Sequence, residues 1–238
     1  MSKPPKPLHD NVLRTKSRSP LGRAVFVGLR AADLIAALGG SAVVSDNIWN
    51  TSNGSFYTYY SLVGLLLPLG SSIKQIAAML FVSDQETPVG SAALIAFFNT
   101  VFNSINTVLS TNLLDFALAN PAVALGVSAY LVGLTTEAIS EFQRRAFKKD
   151  LANKGKPFGG GLFSLATNIN YGGYTIWRAA YAMVAGGWPW AAATFSFFFY
   201  DFAVRGVPVL DQYLAGRYGK EYEDIRTRVK YRLIPWVY

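Results

Sequence analysis

Asn99, Asn103 and Asn106 stand four and three residues apart within a long apolar run, so on a helix they share one face, which Ser110 continues. Amides in lipid are costly unless paired or facing a cavity. The stripe therefore reads either as hydrogen bonding between helices or as the lining of a substrate or cofactor site. Acids give a second signal. Asp33, Glu137 and Asp201 fall inside apolar runs or at their edges, where an ionisable group is a functional hypothesis by default. Asp33 follows Arg30 by one helical turn, a spacing that pairs the two. Glu137 is followed by Glu141, Arg144 and Arg145, which form either an ion-pair ladder at the membrane edge or the acidic and basic wall of a polar cavity. The chain has no cysteine and a single histidine, His9, in a polar stretch. Thiolate chemistry and His- or Cys-built metal centres are excluded, and no metal ligand set is expected.

Positioning such groups requires elements long enough to cross a bilayer, about 20 apolar residues per helix. About half of the residues are apolar (51 %), and they come in blocks. Spans are expected at 21–44, 56–82, 88–110 and from 121 into a basic extension ending near 150. Two closely spaced stretches, 171–185 and 190–204, are joined by Gly186-Gly187-Trp188-Pro189. Pro68 and Gly70 are expected to bend the second span, and Gly28, Gly39 and Gly40 to let helices approach closely. The fold class that follows is all-α: a polytopic membrane helix bundle of about six transmembrane helices. A basic tail (1–20) precedes the bundle (21–204, with a loop at 144–163), and an amphipathic segment (205–238) follows it.

The net charge of +8 would suit a nucleic-acid partner, but its distribution does not. Of 22 Lys and Arg, seven lie in 1–30, six in 144–156 and seven from Arg205 onward, leaving only Lys74 and Arg178 elsewhere. Basic clusters flanking apolar spans follow the positive-inside rule, so all three clusters, and both ends, are expected in the cytosol. Membrane lipids are the expected partner and nucleic acid is not. Residues 45–55 and 111–120 lack Lys and Arg and read as luminal; the former holds the sequons Asn50-Thr51-Ser52 and Asn53-Gly54-Ser55. Residues 1–20 have no apolar core and are not read as a signal peptide.

Residues 137–178, EAISEFQRRAFKKDLANKGKPFGGGLFSLATNINYGGYTIWR, run from a basic helix end through a Gly-rich loop to an Asn-Tyr-x-Gly unit opening the next helix. This order resembles the C-terminal half of the steroid 5α-reductase-like superfamily, especially its small branch of unknown function and the sterol C14- and C24-reductases; isoprenylcysteine carboxyl methyltransferases share the architecture. Gln143, Asn153, Lys154, Gly155, Gly161, Asn170, Tyr171 and Gly173 stand at matching places. The tail RYGKEYEDIRTRVKYRLIPWVY matches the closing signature through Tyr218, Gly219, Tyr222, Tyr231, Arg232, Ile234 and Pro235. The resemblance covers roughly the last hundred residues. It departs where the family has Arg-His-Pro, here Thr167, Asn168 and Ile169. The glutamate of many small relatives is Tyr174, and an Arg-Asp-Glu run is reduced to Asp211.

The resemblance implies an NADPH-dependent reductase in the endoplasmic reticulum membrane. Its substrate would be a lipophilic molecule (sterol, terpenoid or enone-like) with a reducible carbon–carbon double bond. S-adenosylmethionine-dependent methyl transfer is the rival reading, and a double-bond isomerase or a non-catalytic lipid-binding scaffold remains open. The implied cofactor residues are Gln143, Arg144, Asn153, Lys154, Asn170, Tyr171, Arg178, Asp211, Tyr218, Tyr231 and Arg232, with Arg145 and Lys148 as further cations for phosphates. Backbone N–H groups of residues 170–173 are expected to approach a phosphate. Tyr231 and Arg232 either close over the cofactor or anchor the tail among head groups. Tyr171, Glu137 and Tyr181 are the candidate proton donors. Asn99, Asn103 and Asn106 are the candidate substrate lining.

Overall fold

The computed structural model describes residues 19–48, 62–112 and 120–238, and side chains within them except at 36–48 and 111–112. Both sequons, Gly39 and Gly40 as packing sites, the N-terminal tail and most of the expected luminal loops lie outside that description. The described residues form helices α1 (Pro20–Ile48), α2 (Leu67–Ala77), α3 (Val89–Asn112), α4 (Pro121–Lys149), α5 (Ile169–Asp201), α6 (Val207–Tyr218) and α7 (Lys220–Arg228). Among these residues there is no strand beyond one isolated bridge, Ala166 to Tyr231. The chain is an all-α membrane helix bundle. Three stretches, Leu62–Val82, Val89–Ser110 and Pro121–Lys149, are each long and apolar enough to cross a bilayer.

Local chemistry sets the boundaries. Asn120 caps α4 by accepting from Ala122 N at 2.9 Å, and Pro121 occupies the first turn, where its missing N–H costs nothing. α2 is extended at both ends by π-turns, Leu62–Leu66 and Ala78–Val82. Pro68 follows the first of these, and Pro208 follows a third π-turn, Phe202–Gly206. A wider turn spares the proline ring its clash with the preceding carbonyl at Pro68, a position expected to bend this span.

The 33 residues of α5 are two arms. Gly187 has φ 70°, outside helical space, and Pro189 opens the second arm. Tyr171 and Phe202 would be about 47 Å apart along a straight helix. Their rings stack at 4.6 Å, and Tyr174 meets Phe198 at 5.3 Å. The chain therefore doubles back at Gly187, and the two apolar stretches form a helical hairpin.

The first arm packs along α4 through small residues. A Cβ on Gly133 would lie 2.5 Å from Trp177 N, and one on Gly173 would lie 2.7 Å from Glu137 N. The backbones touch there because neither residue has a side chain. Gly28, expected to serve the same purpose on α1, has no described residue within 4 Å of where a Cβ would lie.

Candidate functional site

A cavity of about 650 Å³ opens between α2, α3, α4, the start of α5 and α6–α7. Its floor lies among spans and its mouth among the loop and tail. Gln75, Asn99, Glu137 and Lys74 line the floor; Arg144, Lys148, Arg217 and Tyr218 line the mouth; Tyr171 and Tyr174 lie on α5 between them. A smaller apolar groove of about 220 Å³ runs between α2 and α4 past Ile73, Leu134 and Phe142, and shares Lys74 and Glu141 with the cavity.

At the floor, Lys74 pairs with Glu137, and with Glu141 at 3.6 Å. Trp177 Nε1 donates to Glu137 Oε2 at 2.7 Å. The ladder expected from Glu137 and Glu141 is thus closed by α2 rather than by Arg144 and Arg145, and the same acids are a cavity wall. Spacing within α4 could not reveal Lys74. The signal available was a lone cation inside a span, which demands a counter-charge.

The asparagine stripe faces inward, and each of its three asparagines is hydrogen-bonded to another helix. Asn103 Nδ2 donates to Asp33 Oδ2 at 2.8 Å, and its Oδ1 accepts from Arg178 Nη1 at 3.3 Å. Asn99 Oδ1 accepts from Arg178 Nη2 and from Gln75 Nε2, the latter at 2.9 Å. Asn106 accepts from Trp190 Nε1 at 2.7 Å. The expected Arg30–Asp33 pair forms at 2.7 Å, and Arg30 also donates to Ser72. The stripe joins α1, α2, α3 and α5; of its three asparagines, Asn99 alone lines the cavity.

Other expected site residues divide by placement. Arg144, Asn170, Tyr171, Tyr218 and Glu137 come together around the cavity. Arg178 does not line it; its guanidinium sits 4.5 Å from the Trp177 ring, inside the bundle, and serves the asparagines rather than a phosphate. Tyr181 is buried in the core and donates its hydroxyl to Val63 O at 2.8 Å, away from the cavity. Gln143 accepts from Leu162 N at 2.9 Å and packs against Gly161, whose φ of 55° only glycine adopts freely. The Gly-rich run is a seam against α4 rather than a flexible linker. Asn153 ties the end of α4, donating to Phe147 O at 3.3 Å, and Lys154 is exposed beside it.

The tail closes over the start of α5 as a strap. Thr167 N and Asn168 N donate to the carbonyls of Tyr231 and Arg232 at 3.0 and 2.8 Å. A Cβ on Gly172 would lie 2.1 Å from Leu233 O, so the strap backbone rests directly on that glycine. The N–H groups of Tyr171 and Gly172 are turned to Asn168 O. A phosphate expected at residues 170–173 finds carbonyl oxygens there instead. Asn170 is buried, lines the cavity, and leaves its Oδ1 without a partner among the described residues.

Asp211 holds the strap and α7 together. It accepts from the Tyr222 hydroxyl and stands 3.5 Å from Arg226 and 3.7 Å from Arg232. Burial, and then the bond to Asp211, push the Tyr222 phenol above its usual range. The folded state therefore keeps a proton that the unfolded chain loses near pH ~10, so this contribution is complete below that pH and declines as pH rises beyond it. Tyr222→Phe is expected to cost about 1.5–3 kcal/mol of stability, the range for a hydrogen bond to a charged group, and to remove that alkaline sensitivity in thermal unfolding.

Residues 92–229 match a family described as "Protein of unknown function (DUF1295)". The chain belongs to this family. The match takes in the cavity's α4, α5 and α6 walls and the Asn170–Gly173 unit, and stops short of the strap. A relative named "Probable O-methyltransferase ustE", from Ustilaginoidea virens, is 33 % identical over 230 residues, covering 85 % of this chain and 81 % of the relative. No solved structure matches the chain.

Proposed function

We propose that this family member is a membrane-embedded enzyme that methylates an oxygen of a lipophilic substrate, with S-adenosylmethionine as donor. The observation that carries the reading is the 33 % identity, across most of both chains, to a protein named as a probable O-methyltransferase. The cavity's donor set fits that cofactor. Asn170 offers a buried oxygen with no partner among the described residues. Tyr171, Tyr174, Tyr213 and Tyr218 offer aromatic faces, which attract a sulfonium cation. Arg144 and Arg145 suit the cofactor's carboxylate. When bound, the cofactor would supply an electrophilic methyl group. The apolar α2–α4 groove suits the substrate's hydrocarbon part.

NADPH-dependent reduction of a carbon–carbon double bond is the second reading, favoured by the cationic mouth of Arg144, Arg145, Lys148, Lys149 and Arg217. Against it stand Thr167-Asn168-Ile169 in place of the reductases' Arg-His-Pro, and the Leu233 carbonyl lying on Gly172. Titrating detergent-purified protein with each cofactor, read by thermal shift, tests the choice. A ligand of the folded state adds about 2.7 kcal/mol at a hundredfold excess over its Kd. S-adenosylmethionine alone is expected to stabilise, and Asn170→Ala to weaken its binding about tenfold, the equivalent of one good hydrogen bond. Stabilisation by NADPH alone would return the chain to the reductases. A shift with neither would leave the isomerase or scaffold readings.

A further inference from the structure

The cavity floor is made of hydrogen-bond acceptors, and the reason lies outside the cavity. A guanidinium has only donors, so Arg178 forces Asn99 to turn its carbonyl oxygen towards it. Gln75 meets that same oxygen and must present its NH₂ group, at 2.9 Å. Its own Oε1 is thereby turned away, buried and without a partner among the described residues, in a residue that is 9 % exposed and lines the floor. Beside it stand the carboxylates of Glu137 and Glu141. Among the described residues the one cation lining the floor is Lys74, engaged by both of them, while Arg178 stands behind Asn99 and Tyr174 and does not line it. Tyr174 accepts from Arg178 Nε at 3.2 Å, which leaves its phenolic proton to give.

Such a floor repels an anionic head and welcomes a neutral one with a proton to donate. We propose that it binds a neutral hydroxyl, alcohol or phenol, on the lipophilic substrate: its single proton is shared between Gln75 Oε1 and the Glu137 carboxylate in a three-centre hydrogen bond, and Tyr174 donates to its oxygen. Gln75 is the specificity residue and Glu137 the proton acceptor. The inference rests on the methyltransferase reading and narrows it to ether-forming rather than ester-forming chemistry. As the hydroxyl oxygen bonds to the methyl carbon, its O–H bond breaks and the proton passes to the Glu137 carboxylate. The electrons of the methyl–sulfur bond stay on sulfur, leaving a neutral thioether. A carboxylate acceptor would need no base, and Glu137 would then only repel it.

The test is binding to the full-length protein in detergent without cofactor, followed by tryptophan fluorescence and thermal shift. The probes are para-dodecylphenol, para-dodecylbenzoate and para-dodecylanisole. The phenol is expected to bind at least about tenfold more tightly than either analogue, because the anisole lacks the donor and the benzoate brings charge. Gln75→Leu is expected to remove the preference for phenol over anisole. Should that variant fail to fold, the wild-type ranking still decides. Benzoate binding as tightly as phenol, or a preference that survives Gln75→Leu, overturns the proposal. With S-adenosylmethionine carrying a labelled methyl group, the phenol is expected to yield the labelled anisole, and Glu137→Gln to slow it about 10²- to 10⁴-fold, the range for general-base catalysis. If S-adenosylmethionine binds but the benzoate is methylated in preference, this inference falls and the methyltransferase reading stands. If the phenol preference holds but S-adenosylmethionine fails to bind, the reading falls and the hydroxyl site stands.

Discussion

Asp33→Asn is expected to destabilise the bundle by about 3–5 kcal/mol, because it removes the carboxylate that two buried guanidiniums share. Asp33 pairs with Arg30 directly at 2.7 Å and reaches Arg178 through Asn103, whose amide donates to the acid and accepts from the arginine. Arg30 and Arg178 are 0 % and 2 % exposed, so water cannot substitute for the lost charge. The size of the effect separates two roles. Hydrogen bonds between membrane helices average only about 0.6 kcal/mol, so a loss of that order would mean that Asp33 is merely one more hydrogen-bonding group. A loss several times larger identifies it as the counter-ion. Arg30→Gln added to Asp33→Asn restores the charge balance and is expected to recover most of the stability, a coupling that thermal unfolding of all four species would measure.

Gly133→Ala is the second large effect. The new methyl would lie 2.5 Å from Trp177 N and 2.8 Å from Gly173 O, both backbone atoms that move only with the helix. Separating α4 from α5 there is expected to cost about 1–3 kcal/mol, as overpacking does. It would also lengthen the 2.7 Å bond from Trp177 to Glu137 and disturb the floor of the cavity, so ligand binding should weaken along with stability. Gly28→Ala is the matched control. No described residue lies within 4 Å of where that methyl would stand, and an alanine in a helix is worth about 0.5–1 kcal/mol over glycine, so the same substitution there is expected to be neutral or stabilising. Equal losses at the two positions would rule out backbone contact as the cause.

Much of the fold was legible because a bilayer makes few and strict demands. A span must be long and apolar, so apolar run lengths locate it: residues 121–150 were expected for the fourth helix, and Pro121–Lys149 is what forms. The expected 88–110 became Val89–Asn112. Arg30 and Asp33 were readable as a pair because their partnership lies within one turn of a helix. Other local rules showed only half of what they govern. Gly186-Gly187-Trp188-Pro189 marked a junction, but that the chain doubles back there follows from a positive φ at Gly187 and from rings that meet across the hairpin.

The candidate site was less legible, for a consistent reason. Arg144, Asn170, Tyr171, Tyr218 and Glu137 were named from the sequence, and they do surround one cavity. Arg178 was assigned to a phosphate because it is a cation near a motif; its partners are asparagines 75 and 79 residues away in the chain, and spacing carries no information about them. Lys74 and Gln75 went unassigned because their meaning depends on α4 and α3, which only packing brings to them. By itself the sequence determined what is local or imposed by the solvent: helical character, run lengths, turn positions, and the kinds of chemistry excluded when cysteine is absent and histidine nearly so. The tertiary structure decided which polar groups neutralise one another and which retain an acceptor for a ligand. Buried charges and amides must be satisfied by whatever stands opposite, and in a helical bundle what stands opposite comes from another helix.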